Sequence, residues 1–554
     1  MSNSFFSQHK TTLEQALQAI ATRGYWSPFS EMPSPKIYGE TANADGKAAF
    51  EARLNRPFSI AQPGNTGQTG SEKSPYGFDL GITYPRADLD VLIEAVQKAA
   101  RAWRSAGPET WTGVSLEILQ RLNRRSFEIA YAVMHTSGQA FMMAFQAGGP
   151  HAQDRGLEAV AYAWAEMSRI PNKAYWEKPQ GKHEPLKMEK EYRIAPRGIG
   201  LVIGCSTFPT WNSYPGLFAD LATGNAVIVK PHPGAILPLA LTVEIAREIL
   251  VEAGFDPNVV TLVAHEAGDQ TAQTLALRPE ISLIDFTGSS ANGNWIQENA
   301  KQALVYAEKT GVNQIVVDST ADFKGMVQNI AFSLALYSGQ MCTAPQNIYV
   351  PRNGIETSEG HLSFDQVGAA LADGLAKLLG DPTRAVEILG AVQNEATLRR
   401  LDEAGKLGQT IAESRPLEHP QFPKATIRTP LLLRTTSANK DKFMQELFGP
   451  IAFVVETENT AESIELTREG AKNHGALTLS VYSTNDQVLS ETIDAGTDAG
   501  VPVSCNLTGG VYVNQSAAFS DFHGTGANPA ANAALTDSAF VSNRFRVVQS
   551  RRHA

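Results

Sequence analysis

Apolar residues along this chain change their spacing more than once, and the changes outline its architecture. From Asp88 to about Arg169 they recur at helical spacing: Leu89, Leu92, Ile93, Val96, Ala99 and Ala100, then Leu116, Leu119, Leu122 and the run to Val133, then Ala159 to Met167. Residues three and four apart share one helix face, so these stretches predict three outer helices of an α/β domain. From Ile199 to Asp318 the pattern alternates. Ile199 to Gly204, Ala226 to Val229, Val259 to Val263, Ile281 to Phe286 and Gln314 to Val317 read as buried strands. Between them, Pro215 to Thr223 and the stretch carrying Leu241, Ile245 and Ile249, stopped by Gly254, read as helices. Strand–helix alternation predicts a parallel sheet with helices on both faces, which binds ligands beyond the carboxyl ends of its strands.

A second α/β region follows. It has helices at Gly325 to Leu336 and Phe364 to Leu379, and strands at Gln346 to Val350, Ile451 to Val455 and Thr478 to Tyr482. Two stretches alternate charged and apolar residues. Lys187 to Arg197 reads as an edge strand, and Phe545 to Val548 as a strand that pairs with a neighbouring edge, in this or another subunit. Residues 1–85 show one short amphipathic helix, Thr11 to Ala21. Beyond it Pro, Gly, Ser and Asn accumulate, which predicts a loop-rich covering segment.

Composition narrows the partners. A chain of 554 residues with 43% hydrophobic content holds enough apolar material for more than one core. A net charge of −10 argues against nucleic acid as the main partner. Cys205, Cys342 and Cys505 are an odd, sparse set, which predicts a reduced, cytoplasmic chain. No C-x-x-C pair or His/Cys cluster signals a metal site. No run of about 18 apolar residues predicts a membrane span, and the N-terminus lacks a signal-peptide pattern.

Candidate chemistry centres on Tyr337-Ser338-Gly339-Gln340-Met341-Cys342-Thr343. A thiol after a Gly-Gln turn, at the end of an apolar helical run, is a candidate nucleophile; Cys is also a common core residue. Lys230, ending the strand Ala226 to Val229, is placed for an anionic ligand or is simply a solvated lysine. Phe286-Thr287-Gly288-Ser289-Ser290 leaves a strand and enters a helix near Asn292, a turn suited to phosphate, though not a G-x-G-x-x-G fingerprint. Asn212, in the loop Phe208-Pro209-Thr210-Trp211-Asn212, offers an amide to a developing oxyanion or bonds its own backbone. Glu308, at the end of Ala303 to Ala307, is a candidate base for water or a surface carboxylate.

Taken together and in this order, these stretches resemble the aldehyde dehydrogenase superfamily from about Leu89 to Arg551. The similarity also runs through Ala195-Pro196-Arg197-Gly198-Ile199-Gly200, Gly224-Asn225-Ala226-Val227-Ile228-Val229-Lys230-Pro231 and Glu446-Leu447-Phe448-Gly449-Pro450. The resemblance implies an α/β fold with a Rossmann-type NAD(P) domain at 86–180 and 198–310 and a catalytic domain at 311–520. Residues 181–197 and 536–554 would be oligomerisation strands of a homodimer or homotetramer, and 1–85 would cover the cofactor domain. It implies Cys342 as the nucleophile on the aldehyde carbon, with the oxyanion held by the Asn212 amide and the Cys342 backbone N–H. Glu308 would activate the water that releases the acid. Lys230 would contact the adenosine ribose and Ser289 the pyrophosphate, with Thr287 and Gly288 also cofactor-binding, and Glu446 and Phe448 would hold the nicotinamide ribose and ring. Two departures stand out: Glu308-Lys309-Thr310-Gly311 replaces the usual Glu-Leu-Gly-Gly, and Thr210 is inserted into Pro-Trp-Asn. A third bears on the cofactor. Pro233 stands where NAD-specific relatives often carry a glutamate, leaving Lys230 and His232 to meet a 2′-phosphate, so NADP is expected in preference to NAD.

Within the superfamily the chain most resembles the phenylacetic acid degradation PaaN type, on its long N-terminal segment, Lys309-Thr310-Gly311, Gly509-Gly510-Val511-Tyr512-Val513-Asn514 and His523-Gly524-Thr525-Gly526. That likeness implies a CoA-thioester semialdehyde from ring cleavage as substrate. Acyl transfer to free CoA, or a non-catalytic protein keeping the fold, are the alternatives; Glu308 favours hydrolysis.

Overall fold

The computed structural model describes residues 2–554. Its first sheet is five-stranded and wholly parallel, in the order Leu304–Glu308, Ile281–Thr287, Ile199–Ile203, Ala226–Lys230, Val260–Leu262. The three middle strands are buried almost throughout, as expected where helices cover both faces. Helices Leu89–Arg104 and Pro209–Ala222 lie against them, and Leu237–Glu252 lies against the edge strand Val260–Leu262. A second, seven-stranded sheet runs Gln409–Ala412, Leu431–Thr436, Ile451–Thr457, Pro345–Pro351, Asn313–Val317, Leu479–Tyr482, Val503–Cys505, parallel except at its first pair. This is the α/β architecture that the sequence implied, with a Rossmann-like parallel sheet. Lys230, Thr287 and Glu308 all end their strands at the carboxyl edge of the first sheet.

Three expectations change. Lys187 to Arg197 belongs to His183–Pro196, which is the middle strand of three, not an edge; it pairs antiparallel with Lys173–Gln180 and with Phe545–His553. The C-terminal strand therefore finds its partner in its own chain. The apolar run to Val133 is two helices, Pro108–Arg124 and Ser126–Ser137, broken at Arg125. The N-terminal segment is more helical than loop-rich, with Ser2–Gln8, Lys10–Thr22 and Ala42–Glu51 all packed on the outer helices. Ala42–Glu51 lacks an apolar stripe because it docks through Gly46. A Cβ there would lie 2.4 Å from Phe127 Cβ, so close approach adds to the burial of its one large apolar residue, Phe50.

The C-terminal strand is tied to the first sheet by Arg544, whose side chain is fully buried. Nη1 donates to Asp220 Oδ1 at 2.7 Å and Asp285 Oδ2 at 2.8 Å, and Nη2 donates to Asp285 Oδ1 at 2.7 Å. Burial still pushes Asp220 up to about 7, against the pull of Arg544. Removing the guanidinium leaves two buried carboxylates without their cation. Arg544→Met should lower unfolding stability by about 3–5 kcal/mol, read as an earlier denaturant midpoint, whereas Arg552→Met on the exposed part of the same strand should change it by under about 1 kcal/mol.

Candidate active site

The loop before Cys342 is held in an unusual conformation. Tyr337, Ser338 and Gly339 have φ of 53°, 50° and 64°, the left-handed region that β-carbon-bearing residues rarely adopt. Gly339 is required there, since a Cβ would come 2.4 Å from the Gly449 carbonyl oxygen. Side chains over-determine the turn. Ser338 Oγ donates to the Leu389 and Arg428 carbonyls, both at 3.1 Å. Gln340 Nε2 donates to the Ala391 carbonyl at 3.1 Å, and its Oε1 accepts from Gln393 N–H at 2.8 Å. Asn313 Nδ2 donates to the carbonyls of Cys342 (2.8 Å) and Ala344 (2.9 Å), fixing the backbone that carries the thiol.

The Cys342 side chain stands on the wall between two cavities. The first, about 480 Å³, opens at the carboxyl edge of the parallel sheet. Every residue singled out from the sequence lines it: Asn212, Lys230, His232, Pro233, Thr287, Gly288, Ser289, Glu308, Cys342, Glu446 and Phe448. Asn212 lies not in a loop but in the first turn of helix Pro209–Ala222, which Pro209 starts at a position that needs no N–H. Thr210 is absorbed there by a bond to the Gly148 carbonyl at 2.8 Å. Asn212 Nδ2 donates to Glu308 Oε1 at 3.3 Å. Ser289 is the N-cap of helix Ser290–Asn299. The altered turn after Glu308 is packed: Lys309 Nζ donates to Asn294 (2.8 Å) and Gln297 (2.9 Å), and Thr310 bonds Ser290.

Burial lowers Lys230 to about 8 and raises Glu446 to about 7. Gly311 N–H donates to Glu446 Oε1 at 3.2 Å. Lys230 is 5% exposed, and its ammonium has no hydrogen-bond or ion-pair partner among the described residues. A buried ammonium facing a cavity, a helix N-terminus and a small-residue turn fit an anionic nucleotide.

A histidine stands where the sequence pointed to none. His523, 3% exposed, places Nε2 at 3.2 Å from Glu308 Oε2 and at 3.9 Å from Cys342 Sγ, edge-on to the Trp211 ring. Burial alone would raise Glu308. The charge and hydrogen bond of His523, with bonds from Cys342 and Asn212, hold it below the ordinary carboxylate range instead. Burial and the adjacent Glu308 charge push the Cys342 thiol well up. Glu308, Cys342 and His523 have ligand atoms within 4.8 Å of one another, a grouping of metal-ligating types that no sequence spacing announced. The His-Gly-Thr-Gly stretch around residue 523 was the only local signal.

The model of the aldehyde dehydrogenase family matches residues 82–527. The chain belongs to the aldehyde dehydrogenase family. This aldehyde dehydrogenase is similar over 100% of both chains to the crystal structure of an NAD-dependent aldehyde dehydrogenase from Burkholderia multivorans, at 65% identity and TM-score 0.99. It is 26% identical to the aldehyde dehydrogenase LUC3 of a Fusarium species, over 74% of this chain and 81% of that one. It is 25% identical to a 2-aminomuconic 6-semialdehyde dehydrogenase of a Pseudomonas species, over 76% and 83% respectively.

The second cavity of the aldehyde dehydrogenase, about 670 Å³, lies on the other side of Cys342. Trp26, Met143, Phe208, Trp211, Phe332 and Tyr512 contribute to its walls, the last two stacked with centroids 4.0 Å apart. Residues 25–31 of the N-terminal segment close part of it. Among its lining residues the acids are Glu31, Asp154, Glu387 and Asp521. The one arginine, Arg155, is already paired with Glu158 at 3.0 Å. None of the described helices is long and apolar enough to cross a membrane.

Proposed function

We propose that this enzyme oxidises uncharged, largely apolar aldehydes to carboxylic acids, with NADP preferred over NAD, through a thioester on Cys342. The placement of one thiol between a nucleotide-fitted cavity and an aromatic-walled one carries the reading. In it, the aldehyde enters past Trp211 and Phe332 and the Cys342 sulfur bonds to its carbonyl carbon. The Asn212 amide, released from Glu308, and the Cys342 N–H hold the oxyanion; such a donor is worth about 3 kcal/mol in the transition state. NAD(P), held by the residues that line the first cavity, would supply the hydride acceptor. Glu308 then takes a proton from water as it attacks the thioester, and the thiolate leaves with the acid freed. Lys230 and Ser289 hold the ribose and pyrophosphate, while Thr287 and Gly288 let the backbone approach. Glu446 and Phe448 position the nicotinamide end.

The cofactor preference rests on the Lys230 ammonium and on Pro233, which leaves no carboxylate at that position; burial lowers His232 and His265 to about 4, so they bring no charge, and Asp269 also lines this cavity. The similar Burkholderia protein, an NAD-dependent aldehyde dehydrogenase, favours NAD. The substrate class rests on the cavity wall. A CoA-linked semialdehyde, the PaaN-type reading, is favoured by the sequence resemblance, but the CoA phosphates would meet four acids and an arginine already paired. The sheet carrying residues 181–197 and 536–554 leaves Tyr175, Leu186, Val547 and Val548 exposed, which supports a subunit contact in a homodimer or homotetramer. Residues 86–180 and 198–310 would form the cofactor domain and 311–520 the catalytic one. Three unpaired cysteines suit the cytoplasm.

Cofactor reduction measured with benzaldehyde, a medium-chain aliphatic aldehyde, a carboxylate-bearing semialdehyde and a CoA-linked semialdehyde, each with NADP and NAD, tests both points. The uncharged aldehydes and NADP should give the highest kcat/KM. NADP affinity should fall as pH rises through about 8, because Lys230 loses its charge there. Highest turnover with the CoA thioester, or turnover with NAD equal to that with NADP, would refute the respective half.

A further inference from the structure

An attacking thiolate beside an ionised carboxylate is electrostatically penalised, and Glu308 is such a carboxylate. Something nearby must receive the thiol proton and offset the second negative charge. Asn212 has no titratable group, and its amide is donated to Glu308. Cys205 is itself a thiol, pushed up to about 11 by burial. Lys230 belongs to the nucleotide corner of the cavity. Glu308 itself accepts from the thiol but is the carboxylate needed for water, and His523 is the other base in contact with the sulfur.

We infer that His523 is a further catalytic residue: its Nε2 takes the proton of Cys342 and, as imidazolium, stands between the thiolate and Glu308. The distances place one nitrogen against both partners, 3.9 Å from Sγ and 3.2 Å from Oε2. The ring is buried and set edge-on against Trp211, with centroids 4.6 Å apart, so its direction is fixed by packing. Its surroundings are few. Cys342 and Glu308 face it directly. Cys205 and Glu446 act on Cys342 through space, and Arg155 reaches the same indole at 5.3 Å. On the His523 loop itself, Asp521 is engaged with Ala517 N–H at 2.8 Å.

The proton balance closes. In the reacting tautomer the ring proton is on Nδ1 and Nε2 is bare: the S–H bond breaks, its proton goes to that Nε2 lone pair, from which the imidazolium donates it to Glu308 Oε2, and the sulfur electron pair forms the S–C bond as the carbonyl pair moves to oxygen. The oxyanion pair re-forms the carbonyl as hydride leaves to the cofactor. The imidazolium then passes its proton by way of Glu308 to solvent. That restores the carboxylate that must deprotonate water in the second half. His523 thus keeps one carboxylate from having to serve as the base of both half-reactions.

The inference rests on Cys342 being the nucleophile, and the test is chosen to separate the two. Full-length enzyme without aldehyde or cofactor is inactivated by iodoacetamide across pH 5.5 to 9.5, about the span over which imidazole and thiol titrate, with the labelled residue identified by peptide mass spectrometry. Wild type should show Cys342 labelling with a limb below the ordinary thiol range. His523→Gln, checked by circular dichroism and melting, should label at least tenfold more slowly at neutral pH, with its midpoint moved up by a unit or more. Its hydride-producing first turnover should slow roughly 10²-fold with KM little changed. An unchanged labelling profile in His523→Gln would overturn the inference and leave the ring a packing residue. If the variant does not fold, the wild-type profile still decides: a single limb at or above the ordinary thiol value rules out the imidazole partner. Rapid labelling with full activity in Cys342→Ala would instead refute the nucleophile.

Discussion

Cys342→Ala should abolish aldehyde-dependent cofactor reduction, by about 10⁴-fold or more, while leaving NAD(P)H binding and the melting temperature close to wild type. The expectation is severe because no bypass offers itself. Without a covalent intermediate, hydride must leave a hydrated aldehyde in a cavity built to present a sulfur. The fold should survive because backbone and neighbours, not the thiol, hold this loop. Ser338, Gln340 and Asn313 fix it through bonds to main-chain groups, and none of them uses the sulfur. Stopped-flow absorbance with saturating aldehyde checks the loss, and a fluorescence titration with the reduced cofactor checks retained binding. Residual steady turnover within tenfold of wild type would mean that another group attacks the aldehyde.

Glu308→Gln should separate the two half-reactions. The amide keeps the shape of the carboxylate and still accepts from Asn212, so attack and hydride release should survive for one turnover. It cannot take a proton from water, so steady-state kcat should fall by 10²–10⁴-fold, about the value of general base catalysis. The trace expected is a burst of one NAD(P)H per site followed by a near-flat line. A proportional loss of burst and steady rate would place Glu308 before hydride transfer and remove it from hydrolysis.

The sequence carried much of this site for a physical reason. Lys230, Thr287, Ser289 and Glu308 sit at a strand end or in the turn after it, and buried parallel strands announce themselves as short apolar runs. Lys230, Ser289 and Glu308 are located by the strand they follow. Cys342 is located by its Gly-Gln turn, where Gly339 meets the Gly449 carbonyl too closely for any side chain. What stayed hidden depends on distant pairing. The middle position of His183–Pro196 needs Phe545–His553 beside it, and no local pattern shows a partner so far along the chain. Asn212 reads as a loop residue until Pro209 is seen to open the helix. His523 lies in a long irregular segment with no periodicity, and is brought to the sulfur only by that segment folding back over Glu308, where Glu308 bridges Ala531 and Lys309 N–H donates to the Ala530 carbonyl at 2.6 Å. The N-terminal helices were obscured because small residues, Gly46 among them, make their contacts.

The most direct test of the central claim is a mass measurement on Glu308→Gln after one equivalent of benzaldehyde and excess NADP. The enzyme should gain the mass of one acyl group per subunit, carried on the peptide containing Cys342, in step with one NADPH formed. NADPH produced with no protein-bound acyl group, or an acyl group on any residue other than Cys342, would contradict the account.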